Sequence, residues 1–171
     1  MALILGIDPG SRITGYGLIH TDNAKLIYLD SGCIKIPAGV LSDRLKSIFE
    51  GIKELINRYN PTHAAIEQVF MYRNVNSALV LGHARGAAMV ATSLHAIPLS
   101  EYSPREIKQA VVGYGGADKH QVQQMVRHLL NLSGVPKPDA ADALAVAVCH
   151  ANMHQGLKAL LKKRTRSSKR K

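Results

Sequence analysis

The chain has 171 residues, 46% of them hydrophobic and 20% charged, which is typical of one folded domain and excludes a chain without a core. Its formal net charge is +10, but eight of the 22 basic residues lie between Lys158 and Lys171, where no acid occurs. We therefore expect a folded domain over residues 1–156 and a basic, disordered tail over 157–171. Such a tail indicates a polyanionic partner such as nucleic acid, and a merely solubilising terminus is the alternative.

The cysteines and the N-terminus indicate the compartment. Cys33 and Cys149 are isolated and lack metal-ligand spacing, so we expect two reduced, buried thiols. Only a five-residue apolar run stands before Asp8, and no basic segment precedes it, so neither a secretory signal nor a membrane anchor is expected. A cytoplasmic protein is the resulting expectation.

Three strand-like runs open the chain. They cover Leu3–Ile7, Thr14–Thr21 and Lys25–Ile36, and the short turns between them allow only antiparallel pairing. The first run is continuously apolar and ends in Asp8 at a Pro-Gly turn, which is typical of a buried strand with an acid at its carboxyl end. A simple turn opened by that Asp is the alternative.

A helix, a strand and a second helix follow. Apolar residues at helical spacing between Leu41 and Ile56 predict the first helix, which has Ser42 or Asp43 near its start and ends by Asn60 and Pro61. The strand His63–Glu67 again ends in an acid.

The second helix, predicted over Asn76–His95, has Arg85 as its only charged residue. A helix so poor in charge has no broad solvated face, so we expect the sheet and the second subunit of a homodimer to cover it. Cover by the same chain alone is the alternative.

The last elements are a strand and three helices. Ile97–Glu101 is predicted as the strand, and a capping box at Ser103 and Glu106 begins the next helix. Asp118 begins another helix, and Pro138 begins the last one. Helical crossovers make the later strands parallel to the first, which predicts an α/β fold with a mixed five-stranded sheet. The first and fourth strands are then neighbours, so Asp8 and Glu67 meet at one edge.

Two further acids, Asp139 and Asp142, share one face of the first turn of the last helix. Their ordinary role there would be to complement the helix dipole. Four converging carboxylates, however, cannot all stay ionised without a cation, and Mg²⁺ or Mn²⁺ suits such hard oxygen ligands. Two ions in one site can support hydrolysis of a phosphodiester, so cleavage of nucleic acid is the predicted chemistry.

Four motifs together resemble the RuvC family of Holliday junction resolvases, over residues 2 to about 155. They are Gly-Ile-Asp-Pro-Gly-Ser-Arg-Ile-Thr-Gly-Tyr-Gly at Gly6–Gly17, Ile-Glu-Gln-Val-Phe at Ile66–Phe70, Leu-Gly-His-Ala-Arg-Gly at Leu81–Gly86 and Pro-Asp-Ala-Ala-Asp-Ala-Leu-Ala at Pro138–Ala145. The resemblance implies a ribonuclease H-like fold, a homodimer and paired symmetric nicks in a four-way DNA junction. It also implies Mg²⁺ dependence, with two ions per subunit and Mn²⁺ as a substitute, and work with the RuvA and RuvB branch-migration proteins in recombination and repair.

The resemblance also assigns roles to single residues. The catalytic, metal-binding acids would be Asp8, Glu67, Asp139 and Asp142. Lys108 and Lys119 match basic residues near the scissile phosphate, and Phe70 matches an aromatic residue that stacks on unpaired bases. Arg12 and Arg73 follow two of the acids, which indicates contact with the DNA backbone.

Other interpretations remain beside this one. His150 and His154 have the i,i+4 spacing of a metal pair, but no third ligand is near them in the sequence, so we expect a structural role. An actin-like ATPase shares a similar first hairpin but needs two copies of the fold. A non-catalytic junction-binding protein, and a related nuclease acting on RNA or other branched DNA, are the remaining alternatives.

Overall fold

A computed structural model of the chain describes residues 1–22, 25–69 and 75–168, with side chains as far as His154. The strands are β1 (Ala2–Asp8), β2 (Ile13–Asp22), β3 (Lys25–Lys35), β4 (His63–Glu67) and β5 (Leu99–Tyr102). The helices are α1 (Leu41–Tyr59), α2 (Val75–Leu94), α3 (Pro104–Val112), α4 (Lys119–Leu129) and α5 (Pro138–Ser168).

The strands form one mixed sheet in the order β3-β2-β1-β4-β5. β1 and β3 pair antiparallel with β2, whereas β4 pairs parallel with both β1 and β5. The predicted sheet, with its first strand at the centre beside the fourth, is confirmed. β1, at the centre of the sheet, is buried on both faces, as its continuous apolar sequence predicts.

Helices cover both faces of the sheet, and the side-chain alternation of β1 separates two cores. Ile4 contributes to the core beneath α3, α4 and α5, whereas Leu5 and Ile7 contribute to the core beneath α1 and α2. Because alternate residues of a strand share a face, Asp8 lies on the same side as Ile4, under α5.

Close approach of α5 to the sheet depends on glycines of β1 and β2. A Cβ atom on Gly15 would lie 2.0 Å from the carbonyl oxygen of Asp139, and one on Gly6 would lie 2.2 Å from the carbonyl oxygen of Ala143. A Cβ on Gly17 would lie 2.8 Å from the Cα of Leu144. Three strand glycines therefore let the first turns of α5 reach the end of β1.

We expect Gly15→Ala to lower the free energy of unfolding by about 1–3 kcal/mol, since the added methyl group must displace backbone of α5. Urea unfolding followed by circular dichroism measures this change. Gly134→Ala is the matched control, because nothing lies within 4 Å of its Cβ position. Equal stability of the two variants would contradict the close-approach argument.

The ends of several elements differ from the sequence-based expectation. Helix α1 begins at Leu41 with Val40 as its N-cap and no capping side chain, so Ser42 and Asp43 lie inside the first turn. Strand β5 begins at Leu99, because the Ile97 N–H is bound by the carbonyl of Thr92 in the turn after α2. The expected capping box at the start of α3 is confirmed, and Asp118, the expected start of α4, forms a second capping box with Gln121.

Both cysteines are free thiols, but their burial differs. Cys149 is buried in α5, and burial raises the pKa of its thiol to about 12. Cys33 is only half-buried because it lies on β3, an edge strand of the sheet, so the expectation of two buried thiols was wrong for Cys33.

The backbone of α5 is helical as far as Ser168, which includes most of the basic segment 157–171. The division into a folded domain over 1–156 and a disordered tail stays a prediction. Within the described ranges, no helix has the length and apolar character needed to cross a membrane.

Candidate active site

Asp8 and Glu67 lie side by side at the carboxyl edge of the sheet. Ile7 of β1 is in register with Ile66 of the parallel strand β4, so the acids that follow them are neighbours. Both acids also face α5, because each lies an even number of residues from a core residue beneath that helix. On its other side, Asp8 is in register with Gly15 of the antiparallel strand β2.

Helix α5 supplies the other two acids. Asp139 lies in its first turn and Asp142 follows three residues later, so both lie on the face turned towards the end of β1. The alanines between and behind them are buried against the sheet, and both aspartates are half-buried. The four acids expected from the sequence are thus brought together.

Burial and the charges of neighbouring acids raise the pKa of two carboxyl groups in this cluster. Burial, followed by the charges of Glu67, Asp142 and Asp139, raises the pKa of Asp8 from 3.8 to about 8. The pKa of Glu67 is also raised, chiefly by burial and then by the charge of Asp142, while Lys119, a hydrogen bond with Asp8 and Lys108 act in the opposite direction. A site of this kind favours a bound cation, which would replace the proton of Asp8.

Two lysines border the acids. The Nζ atom of Lys119 lies 2.6 Å from Oδ2 of Asp142, and this hydrogen bond raises the pKa of the lysine. Lys108 and Lys119 line, with Glu67 and Asp142, a cavity of about 240 Å³ between α3, α4 and the sheet. Basic groups therefore flank the carboxylates on the side of this cavity.

The turn between β1 and β2 is held from several directions. The guanidinium of Arg44 donates a hydrogen bond to the carbonyl of Ser11, and the Ile36 N–H donates to the carbonyl of Arg12. The Arg12 side chain itself is exposed beside the site. Phe70 and Arg73 lie outside the described residues.

Two residues that shape this turn were not expected from the sequence. Thr14 is fully buried, and its hydroxyl donates to the Gly10 carbonyl and accepts from the Gly10 N–H. A threonine shortly after a Pro-Gly pair is a detectable signal for such a turn. Arg44, by contrast, lies on α1, 33 residues from its partner Ser11, and no local pattern could have identified it.

The order of the sheet and the position of the acids define a class of protein. The chain is a ribonuclease H-like α/β protein whose carboxylates gather where β1, β4 and α5 meet. It belongs to the RuvC family, since the family model described as "Crossover junction endodeoxyribonuclease RuvC" matches residues 4–150.

Proteins with similar sequences match this chain along most of its length. It is 58% identical over 162 residues to the crossover junction endodeoxyribonuclease RuvC of Legionella pneumophila strain Lens, covering 94% of this chain and 93% of that protein. The corresponding protein of Marinobacter nauticus is 58% identical over 157 residues, covering 92% of this chain and 90% of that protein.

Solved structures with a similar fold also match most of this chain. Thermus thermophilus RuvC in complex with a Holliday junction substrate superposes with a TM-score of 0.86 at 34% identity, covering 91% of this chain and 96% of that one. The yeast mitochondrial Holliday junction resolvase, at 18% identity, a TM-score of 0.68 and coverage of 91% and 80%, shares the fold.

Proposed function

We propose that this protein is an endodeoxyribonuclease that resolves four-way DNA junctions by paired symmetric nicks, in homologous recombination and DNA repair. The observation that carries the proposal is the convergence of four carboxylates from β1, β4 and α5 beside two lysines. Membership of the RuvC family supports the substrate, because relatives are crossover junction endodeoxyribonucleases and one was solved with junction DNA. Membership of the RuvC family argues against an actin-like ATPase.

The acidic residues fit a divalent metal. Asp8, Glu67, Asp139 and Asp142 offer only oxygen donors, and Asp8 keeps a proton near neutral pH when no cation is present. Hard ligands of this kind suit Mg²⁺, with Mn²⁺ as a substitute, and four carboxylates have the capacity for two ions. Ions held there would activate a water molecule and stabilise the oxygen that leaves the phosphodiester.

The chain's own groups carry the remaining work. Lys119 is held in place by Asp142, and with Lys108 it brings positive charge to the wall of the cavity where a phosphate would lie. The exposed Arg12 extends this positive surface along the first turn. We assign DNA-backbone contacts to Arg12 and Arg73, and base stacking at the crossover to Phe70.

Metal binding should release a proton and tighten as the pH rises towards 8. The ion competes with the proton on Asp8, whose pKa is raised to about 8, so the Kd for Mg²⁺ should fall by about tenfold per pH unit below that value. Calorimetry in buffers of different ionisation enthalpy measures both the Kd and the released proton. An affinity that is independent of pH between about 5 and 7 would be inconsistent with a proton on the cluster.

A homodimer would place one acidic cluster at each of two symmetry-related strands. Helix α2 offers the surface: alanines on one side are buried, whereas Val75, Leu79, Val90 and Leu94 on the other side are 52–69% exposed. Gly82 and Gly86 lie between them with open space around their Cβ positions. This apolar face recurs every three or four residues, as a helix that packs against a second subunit requires. Arg85 lies apart from it and pairs with Glu101 of β5.

Removal of residues 157–171 should weaken junction binding at low salt by about tenfold or more, because the truncated segment carries eight basic residues and no acid. The cleavage step at saturating protein should change little. Fluorescence anisotropy at two salt concentrations, beside single-turnover cleavage, tests both statements. A truncated protein that binds normally but no longer cuts would contradict this assignment of the tail.

The cellular setting follows from the resemblance. We propose action beside the RuvA and RuvB branch-migration proteins in the cytoplasm. Free cysteines suit a reducing compartment.

Cleavage of a synthetic four-way junction beside a linear duplex of the same sequence tests the function. We expect paired symmetric nicks in the junction only, in Mg²⁺ and not in chelator. Binding without nicks would favour a non-catalytic junction-binding protein. Equal cutting of the duplex or of an RNA junction would favour a nuclease of different selectivity.

A further inference from the structure

A second cluster of titratable side chains lies outside the acidic site. His63 of β4 and His150 and His154 of α5 each bring one ring nitrogen within 4.8 Å of the others. The ring centroids of His63 and His154 are 4.9 Å apart, and those of His150 and His154 are 5.7 Å apart. His63 is the first residue of β4 and Glu67 the last, so this cluster lies about 13 Å along the strand from the acids.

One nitrogen of the cluster has an unmet requirement. His150 is 4% exposed, and its Nδ1 atom lies 2.9 Å from the hydroxyl of Tyr102. Its Nε2 atom is buried and has no hydrogen-bond partner in the described part of the chain. Buried polar atoms are almost always paired, so an unpaired imidazole nitrogen beside two other imidazoles points to a ligand.

The surroundings favour the neutral, ligating form of His150. When Nδ1 is protonated and donates a hydrogen bond to the Tyr102 hydroxyl, Nε2 carries the lone pair. A hydrogen bond of this kind orients metal-bound histidines. Three imidazoles that meet in this way are typical ligands of Zn²⁺ and similar ions.

We propose that His63, His150 and His154 form a binding site for Zn²⁺ or a similar transition metal ion, separate from the acidic site. The helical i,i+4 pair supplies two ligands and the strand supplies the third, with a fourth position open to water. Zn–N bonds of about 2.0–2.1 Å require the three nitrogens to approach to about 3.4 Å. The side chains of His63 and His154 are only half-buried, so small rotations of their rings can close this distance.

Such an ion would join β4 to α5. Glu67 is the last residue of β4, and Asp142 lies near the start of α5. A metal bridge would therefore fix the relative position of the two elements that carry these acids. Mg²⁺ would not compete strongly for three nitrogen ligands, and the acids prefer hard ions, so the two sites differ in the metal that they select.

Metal titration of the full-length protein without a histidine tag tests the proposal. We use Asp8→Asn as the background, so that the acidic cluster contributes less, and titrate Zn²⁺ with a competing chromophoric chelator. The expected result is one Zn²⁺ per chain with a Kd in the micromolar range or tighter. Co²⁺ in the same protein should give the strong visible absorption of a four-coordinate nitrogen site.

Variants of the two half-buried histidines, His63 and His154, show which residues bind the metal ion. His63→Gln and His154→Gln should each weaken Zn²⁺ binding at least tenfold and remove the Co²⁺ absorption. The matched control, His128→Gln, replaces an exposed histidine of α4 and should bind like the parent. Circular dichroism establishes that each variant is folded.

Three results would overturn the site: no Zn²⁺ uptake by the parent, unchanged uptake in the double variant of His63 and His154, or equal loss in His128→Gln. Because the readout is metal binding, failure here leaves the nuclease proposal untouched.

Discussion

Asp8→Asn should lower the rate of junction cleavage by about 10³-fold or more while leaving junction binding intact. The replacement keeps the shape of the side chain but removes a charged oxygen ligand from the centre of the acidic cluster. Single-turnover cleavage of a synthetic junction in Mg²⁺ measures the rate, and a gel-shift titration in chelator measures the binding. Asp43→Asn is the matched control, because Asp43 is an exposed acid in the first turn of α1.

The same substitution should have the opposite effect on stability when no metal is bound. A carboxyl whose pKa is raised on folding costs stability once the unfolded chain ionises, so this cost grows as the pH rises from 3.8 to about 8. Metal-free Asp8→Asn should therefore gain stability relative to the parent across that range, and Mg²⁺ should reverse the difference. An asparagine variant that cuts normally, or one that is less stable than the parent at pH 8 in chelator, would contradict the site described here.

If the proposed homodimer forms through α2, Leu79→Arg should convert it to a monomer and abolish paired cleavage. Leu79 is 57% exposed in the second turn of α2, on its apolar face, and a guanidinium there would have to lose its water at a subunit interface. We expect the Kd of dimerisation to rise at least about 10²-fold. Sedimentation velocity measures the assembly, and a supercoiled cruciform plasmid separates paired cutting, which gives linear DNA, from single nicks.

Leu129→Arg is the control for this variant. Leu129 is also an exposed leucine on a helix, but α4 packs on the opposite face of the sheet from α2. It should leave both the assembly and the paired nicks unchanged. A monomeric parent protein, or a Leu79→Arg protein that stays dimeric and still yields linear plasmid, would show that α2 is not the interface.

These experiments separate two requirements of the proposed reaction. In that proposal the acidic cluster performs hydrolysis within one chain, and the face of α2 couples two such events. Asp8→Asn tests the first requirement without altering the surface, and Leu79→Arg tests the second without altering the acids. A protein that loses pairing but still nicks single strands would show that the chemistry belongs to each subunit.

The sequence by itself determined the elements and most of the acidic site. Short turns forced the first three strands to pair antiparallel, and helical crossovers made the later strands parallel, so the positions of Asp8 and Glu67 followed from topology. The capping box of α3 and the start of α4 at Asp118 could be identified because the hydrogen bonds at these helix starts span only three residues. Such features depend on neighbours along the chain, which is the information that a sequence pattern carries.

Only the tertiary structure decided which distant residues touch. It brought His63 to a histidine pair on a helix more than 80 residues away, placed Arg44 against the first turn, and seated α5 on Gly6, Gly15 and Gly17. It also raised the pKa of Asp8, since desolvation depends on everything packed around the group. Contacts of this kind have no periodicity along the chain, because they are set by how whole helices lie on the sheet.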